Sequence, residues 1–459
     1  METISREGGC LHTFCPIASV AWLHRKFNDS FFLIVGTHTC AHFIQTALDV
    51  MVYAHSRFGF AVLEESDLVS ANLTGPLDGV IRKVIDEWHP KVIFVMTTCS
   101  IDILKVDLQV SCQELSKTHE FPILLASTSG IDRTFTQGED AVLKALLPFS
   151  PQEAPVVPAP APVPAEAPVV EKKKKWFSLG KSEPETPAPV AAPTAVPAEP
   201  KPNLVLLGAI PDITIRQLVW ELNRLGIPQV DVFPSADLST MPPIHEKTVV
   251  VPLQPYLNET INAIRRQRGA EVLSTVFPIG PDGTAHFLRD ICQRFDLPID
   301  RVYQREAEAW GDLETYVNFL RGKKIMFLGD NLLELSLARF LTACGANVVE
   351  VGIPYVHRKD MQAELKLLTD RQIPIVENPD FHKQLQRIEE YQPDLIIAGL
   401  GICNPLEARG FTTAWSIEFT FAPIHGFGSA VDLIKMFTKP LFKKQTLAEN
   451  GWGMEGMAL

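Results

Sequence analysis

The chain has 459 residues, 46% hydrophobic and 21% charged, enough for roughly two to four domains with real cores. Its formal net charge of −12 excludes the broad basic face that non-specific nucleic-acid binding needs. Eight cysteines over this length are too sparse for a disulfide scaffold, and no apolar run reaches the roughly 18 residues of a membrane span.

The opening METISREGGC lacks the charged start and apolar core of a signal peptide, and it is not an acid-poor transit peptide. The expectation is a reducing compartment with free or metal-bound thiols. SFFLIVG (30–36), KVIFVM (91–96) and FPILLAS (121–127) are short and apolar, and turn residues bound them. They read as buried parallel strands. IASVAWLHRKF and AHFIQTALDVMVYA are helical stretches around them.

Residues 151–201 break the pattern. Two Pro/Ala/Val runs flank EKKKKWFSLGK, and frequent proline prevents both helix and ladder, so an extended linker or insertion is expected. The island Lys172–Lys175 with Trp176 and Phe177 reads as a solubilising patch before it reads as a docking motif. Alternation then resumes. NLVLLGAI (203–210) is a strand, ITIRQLVWELNRLG a helix stopped by Gly226, and QVDVF a strand. It restarts at KKIMFLGD (323–330), followed by the helix NLLELSLARFLTACG and the strand NVVEVGI. Such crossovers imply parallel pairs. The expected fold is α/β, with three Rossmann-like parallel-sheet domains in series at 1–150, 202–320 and 321–459.

No GxxxxGK[ST] and no strand-linked GxGxxG is present. GLGICN (399–404) lacks the third glycine. It reads as a helix start, with Asn404 as cap, Pro405 in the first turn and Glu407 closing a capping box. The sheets therefore show no nucleotide loop, and their carboxyl-end crevices are free for other use.

Cys15, Cys40 and Cys99 each close a strand or turn and open a helix. Unpaired N–H groups and the helix dipole there favour a thiolate, the metal-binding form of cysteine. Alone, each reads as a small buried hydrophobe; together, their shared context points to one ligand. Three is one short of the four that an iron–sulfur cubane usually takes, which points to a second protein. Cys112, Cys292, Cys344 and Cys403 read as packing, and Cys10 is the only substitute ligand. A zinc site needs four local ligands, which the wide spacing disfavours.

HTFCPIASVAWL, FFLIVGTHTCAHFIQTALDVM, AVLEESDL, FTQGEDAVLKAL and NPLEARGFTTAWSIEFTFAPIHGF closely resemble the N subunits of light-independent (dark-operative) protochlorophyllide reductases, a nitrogenase-like family. The resemblance covers the chain except the Pro/Ala insertion. It implies three Rossmann-like domains and a heterotetramer of two N and two B proteins. A 4Fe–4S cluster at each N–B interface would be held by Cys15, Cys40 and Cys99 and by an aspartate of the B protein. A separate homodimeric L protein would bind and hydrolyse ATP and deliver electrons, with ferredoxin upstream. The substrate would be protochlorophyllide, reduced at the D-ring C17=C18 bond to chlorophyllide a, with protons from the B protein and from the substrate. Phe14 and Trp415 match pocket positions of the family, with Leu406 a weaker candidate. The compartment would be a cyanobacterial cytoplasm or a chloroplast stroma. His425 reads first as a hydrogen-bonded structural histidine and only then as a magnesium ligand or acid. His38 and His42 flank Cys40, where solvent-facing roles compete with tuning of a cluster. Two alternatives stay open: another nitrogenase-like reductase (chlorophyllide reductase, for example) or cofactor scaffold, and a redox-inert Rossmann-type binding protein.

Overall fold

The computed structural model describes residues 4–9, 14–51, 57–64, 67, 73–131, 133–152, 202–227 and 229–451. Cys10, the Lys172–Lys175 island and nearly all of the Pro/Ala insertion lie outside the described residues.

Strand β1 (Ile4–Arg6) precedes the first sheet, which is built from β2 (Ser30–Gly36), β3 (Phe58–Val62), β4 (Val92–Thr97) and β5 (Ile123–Ala126) in the order β3-β2-β4-β5. The second sheet holds β6 (Leu204–Leu207), β7 (Val230–Phe233), β8 (Val249–Pro252) and β9 (Glu271–Val272) in the order β7-β6-β8-β9. The third holds β10 (Lys324–Phe327), β11 (Asn347–Ile353), β12 (Ile375–Glu377), β13 (Leu395–Ala398) and β14 (Thr413–Trp415), with β1 added at its edge: β1-β12-β11-β10-β13-β14. All the pairings within these sheets are parallel.

Side chains of a strand alternate between its two faces, and here the alternation sorts the molecule into one shared core and three private ones. Phe32, Ile34, Phe94 and Met96 of the first sheet face the shared core, as do Val205, Leu207 and Val250 of the second and Ile325, Phe327, Leu395 and Ile397 of the third. The intervening residues face outward under separate helices. Phe31, Leu33, Val35, Ile93 and Val95 form one such layer, Leu204, Leu206, Val249 and Val251 a second, and Met326, Leu328, Ile396 and Ala398 a third. Both faces are dry, which is why these strands read as continuous apolar runs. Each fully buried Phe or Leu contributes about 1.5–3 kcal/mol.

The expected first unit, 1–150, is not self-contained, because residues 4–6 pair into the third sheet. Ile4 lies opposite Ile375 in the ladder, and Glu7 N–H donates to the Glu377 carbonyl at 2.9 Å. Arg387 then clamps Glu7 at 2.8 Å, and its guanidinium also reaches Glu350. The expected helix start at Asn404 also lies elsewhere. The helix is Leu400–Ala408, Gly399 is its cap, and Pro405 sits inside it. Glu407 does not close a capping box; it accepts from Thr413 Oγ1 at 2.6 Å. Burial of Ile402, Cys403 and Leu406 on one face outweighs the one backbone hydrogen bond that Pro405 cannot make. Gly226 does end its helix as expected, with φ 95°, a region open to glycine.

Candidate metal centre

The carboxyl ends of β2, β4 and β5 open onto one crevice of the first sheet. Cys15 stands just before the 3-10 turn Pro16–Ser19, and its carbonyl accepts from Ala18 N–H at 2.8 Å. Cys40 lies in the first turn of the helix His38–Met51, which follows β2. Cys99 is the first residue of the helix Cys99–Ile103, two residues after β4 ends. All three thiols are half-buried, whereas Cys112, Cys292, Cys344 and Cys403 are buried.

Close packing places Gly130, from the loop after β5, between the sulfurs. A Cβ on Gly130 would lie 3.3 Å from Cys15 Sγ and 3.7 Å from Cys99 Sγ. The Gly130 amide donates to Cys99 Sγ at 3.3 Å, and Thr37 Oγ1 donates to Cys40 Sγ at 3.7 Å. Burial pushes the Cys15 thiol up to about 12; the Ile17 amide opposes the rise, and the neighbouring Cys99 and Cys40 add to it. The proximity of Cys99 and Cys40 favours the protonated form of Cys15 until a cation compensates it. Among the described residues, no three His, Cys, Asp or Glu side chains form a group that could hold a metal ion. Cys15 is nonetheless in electrostatic contact with Cys99 and Cys40, and thiolate sulfur is the ligand type that iron–sulfur clusters take.

Two further glycines seat the cysteine segments. A Cβ on Gly36 would lie 2.3 Å from Thr98 Oγ1, next to Cys99, and one on Gly138 would lie 2.1 Å from the Pro16 carbonyl, next to Cys15. Their small size, seen only as spacing in the sequence, allows the backbones to approach.

Phe14 is buried beside Cys15, with ring centroids 5.9 Å from both Phe43 and Phe135. Phe135 meets Trp22 at 6.3 Å, and Trp22 meets Phe421 at 5.6 Å. An aromatic run therefore links the cysteine crevice to the segment after β14. Trp415 ends β14 half-buried. The loop beside it is fastened to the first sheet's side: Thr136 Oγ1 donates to the Asn331 carbonyl at 2.9 Å, and Asn331 Nδ2 donates to the Ser416 carbonyl at 2.8 Å. Leu406 lies in the third sheet's outer core, 1% exposed, with Ile402 and Cys403, so it backs this region from inside. Phe43, Phe135, Trp22 and Phe421 were not singled out in the sequence, where aromatic residues in apolar runs look like ordinary core.

His425 is sealed in the core and makes no hydrogen bond of good geometry, and burial pushes its pKa down to about 3. It is a neutral, structural group here, and a looser hydrogen bond with the Leu253 backbone is what opposes the fall. His38 lies in the open, 3.8 Å from Glu64, and His42 is exposed.

The acids of FTQGEDAVLKAL do different work. Glu139 accepts from Trp22 Nε1 at 2.7 Å and Ala209 N–H at 2.8 Å. Asp140 accepts from the amides of Glu259 and Thr260 at 2.7 and 2.8 Å, at the start of the helix Asn258–Arg268. Burial pushes both carboxyls up to about 7. They join the first unit to the second.

A family described as nitrogenase component 1 type oxidoreductase matches residues 15–442. Over 457 residues and 99% of both chains, the sequence is 68% identical to the light-independent protochlorophyllide reductase subunit N of Heliobacterium mobile. It is 62% identical to that of Heliobacterium modesticaldum, again over 99% of both, and 40% identical to that of Trichormus variabilis over 97% of this chain and 95% of the relative. The solved structure "Nitrogenase Cp1 at pH 6.5" superposes with a TM-score of 0.73 at 13% identity, covering 99% of this chain and 96% of that one, a likeness of fold. The chain belongs to the nitrogenase component 1 type oxidoreductases and, within them, to the N subunits of light-independent protochlorophyllide reductases. That family implies an iron–sulfur cluster and a multi-subunit complex.

Proposed function

We propose that this chain is the cluster-holding N subunit of a light-independent protochlorophyllide reductase. The observation that carries the reading is the convergence of three half-buried thiols: Cys15 feels both Cys99 and Cys40, and Gly130 sits against the sulfurs of Cys15 and Cys99. Cys15, Cys40 and Cys99 supply three ligands of a 4Fe–4S cluster, and an aspartate of the B protein supplies the fourth. When bound, the cluster provides electrons one at a time for reduction of the C17=C18 bond.

Ile103, Leu104 and Ile131 support a protein partner at this rim: they are 68%, 45% and 59% exposed and lie within a few residues of Cys99 or Gly130. Apolar groups left in water beside a functional site mark a surface that is covered in an assembly. Two N and two B proteins form the complex, and a separate L protein, fed by ferredoxin, hydrolyses ATP and delivers electrons. The proposed compartment is a cyanobacterial cytoplasm or a chloroplast stroma, either of which would keep the described cysteines as the free thiols they are. No helix among the described residues is long and apolar enough to cross a membrane.

This chain's part toward the tetrapyrrole is to bind and orient. A flat macrocycle needs aromatic and aliphatic walls with few polar groups. Phe14 and Trp415 are the proposed wall residues, and Leu406 supports the wall from the core. No catalytic acid is assigned to this chain; protons come from the B protein and from the substrate.

The test is anaerobic co-purification with the B protein, iron counting and low-temperature EPR after reduction, then an absorption assay with protochlorophyllide and chlorophyllide offered separately. One 4Fe–4S cluster per N–B pair and turnover of protochlorophyllide are expected. An iron-free pair would reduce the role to a scaffold, and turnover of chlorophyllide alone would reassign the substrate. Trp415→Leu should raise KM several-fold, about 1 kcal/mol of lost contact, with iron content unchanged.

A further inference from the structure

We propose that Thr37 and Gly130 are positioning residues for the cluster: they hold the thiolates of Cys40 and Cys99 by hydrogen bonds and so raise its reduction potential. The inference rests on the cluster reading above and adds two residues to it. Thr37 Oγ1 lies 3.7 Å from Cys40 Sγ, and the Gly130 amide lies 3.3 Å from Cys99 Sγ. Both are donors, and a donor to a ligand sulfur stabilises the more negative, reduced cluster. The Gly130 amide is held in place from below. Thr128 donates twice to Thr97, from its N–H to Oγ1 at 3.1 Å and from its Oγ1 to the carbonyl at 2.8 Å. This pair of hydrogen bonds ties the segment after β5 to the end of β4, two residues before each partner in the Gly130–Cys99 contact.

Thr37 and Gly130 act differently, which makes the pair testable. Thr37 uses a side chain, and its backbone carbonyl, which accepts from Cys40 N–H at 3.1 Å, survives substitution. Gly130 uses its backbone, and a side chain there would crowd the site. A Cβ would press on Cys15 Sγ and Pro16 Cδ, each at 3.3 Å, so the Cys15 segment would have to give by a few tenths of an ångström.

The experiment uses the N–B complex purified anaerobically, with iron content, EPR line shape and midpoint potential measured by EPR-monitored titration. Thr37→Val is expected to keep its iron and shift the potential to more negative values. Thr37→Ser is expected to restore the wild-type potential. Gly130→Ala is expected to lose cluster retention by about 10-fold or more, as displaced supporting contacts do. Wild-type potential in an iron-loaded Thr37→Val would overturn the assignment of Thr37, and full iron with an unchanged EPR signal in Gly130→Ala would overturn that of Gly130. An iron-free wild-type complex would instead remove the cluster reading itself.

Discussion

Two polar regions sit at the edges of the first sheet's unit, and they differ in how completely they are satisfied. At the junction with the second unit, Glu139 and Asp140 are buried and have their oxygens matched by donors from Trp22, Ala209, Glu259 and Thr260. At the carboxyl ends of β2 and β4, three thiols are left half-buried, beside apolar side chains in water. A closed shell of hydrogen bonds fixes geometry and leaves no valence for a ligand. An open shell of soft donors with an apolar rim is what the proposed cluster and partner protein would complete. The contrast separates structural polarity from functional polarity more sharply than residue type does, since carboxylates are as common in metal sites as thiols.

The largest expected effect tests the open region. Cys15→Ser, Cys40→Ser or Cys99→Ser in the N–B complex should each abolish most of the cluster iron and the reductase activity. Cys344→Ser, at a buried packing position, should leave iron near wild type. Full iron in any of the first three would remove that residue from the site.

Gly138→Ala tests whether the two regions share a support. Its Cβ would overlap the Pro16 carbonyl at 2.1 Å and Ser19 Oγ at 2.3 Å, and overpacking of this kind costs about 1–3 kcal/mol. A lower Tm is expected together with reduced iron, because Pro16 adjoins Cys15. A lower Tm with full iron would show that the Cys15 segment tolerates the shift.

Glu139→Gln sharpens the closed region through pH. Burial raises the carboxyl from 4.5 to about 7, so the folded chain holds a proton that the unfolded chain releases in that window. Stability from this group is present below the unfolded value and declines as pH climbs towards about 7. The Tm of wild type minus that of Glu139→Gln should therefore fall as pH rises through this range, then level off. A pH-independent difference would show that the carboxyl does not titrate there.

The smallest effect is expected at His38, next to the open region in sequence but facing solvent, its Glu64 contact 3.8 Å long. His38→Ala should change Tm by less than about 0.5 kcal/mol equivalent and leave the EPR signal unaltered. A displaced signal would bring His38 into the cluster's surroundings.

Much of the architecture was readable from residue pattern. SFFLIVG and NVVEVGI match β2 and β11 residue for residue, because runs this apolar survive only where both faces of a sheet are covered. The helix-opening placement of Cys15, Cys40 and Cys99 was also legible, since strand-to-helix junctions carry local turn signals. GLGICN misled for a related reason. Asn404, Pro405 and Glu407 make a good local start signal, but the packing of Ile402, Cys403 and Leu406 carried the helix back to Leu400.

By itself, then, the sequence determined the alternation of strands and helices, the covered sheets and the three helix-opening thiols, because these depend on neighbours a few residues away. Only the tertiary structure decided that β1 completes the third sheet, that Glu139 and Asp140 are fasteners, and that Gly130 lies between two sulfurs. Those facts depend on contacts across long stretches of chain, where the close approach of two backbones is set by packing of the shared core and leaves no periodic trace in either segment.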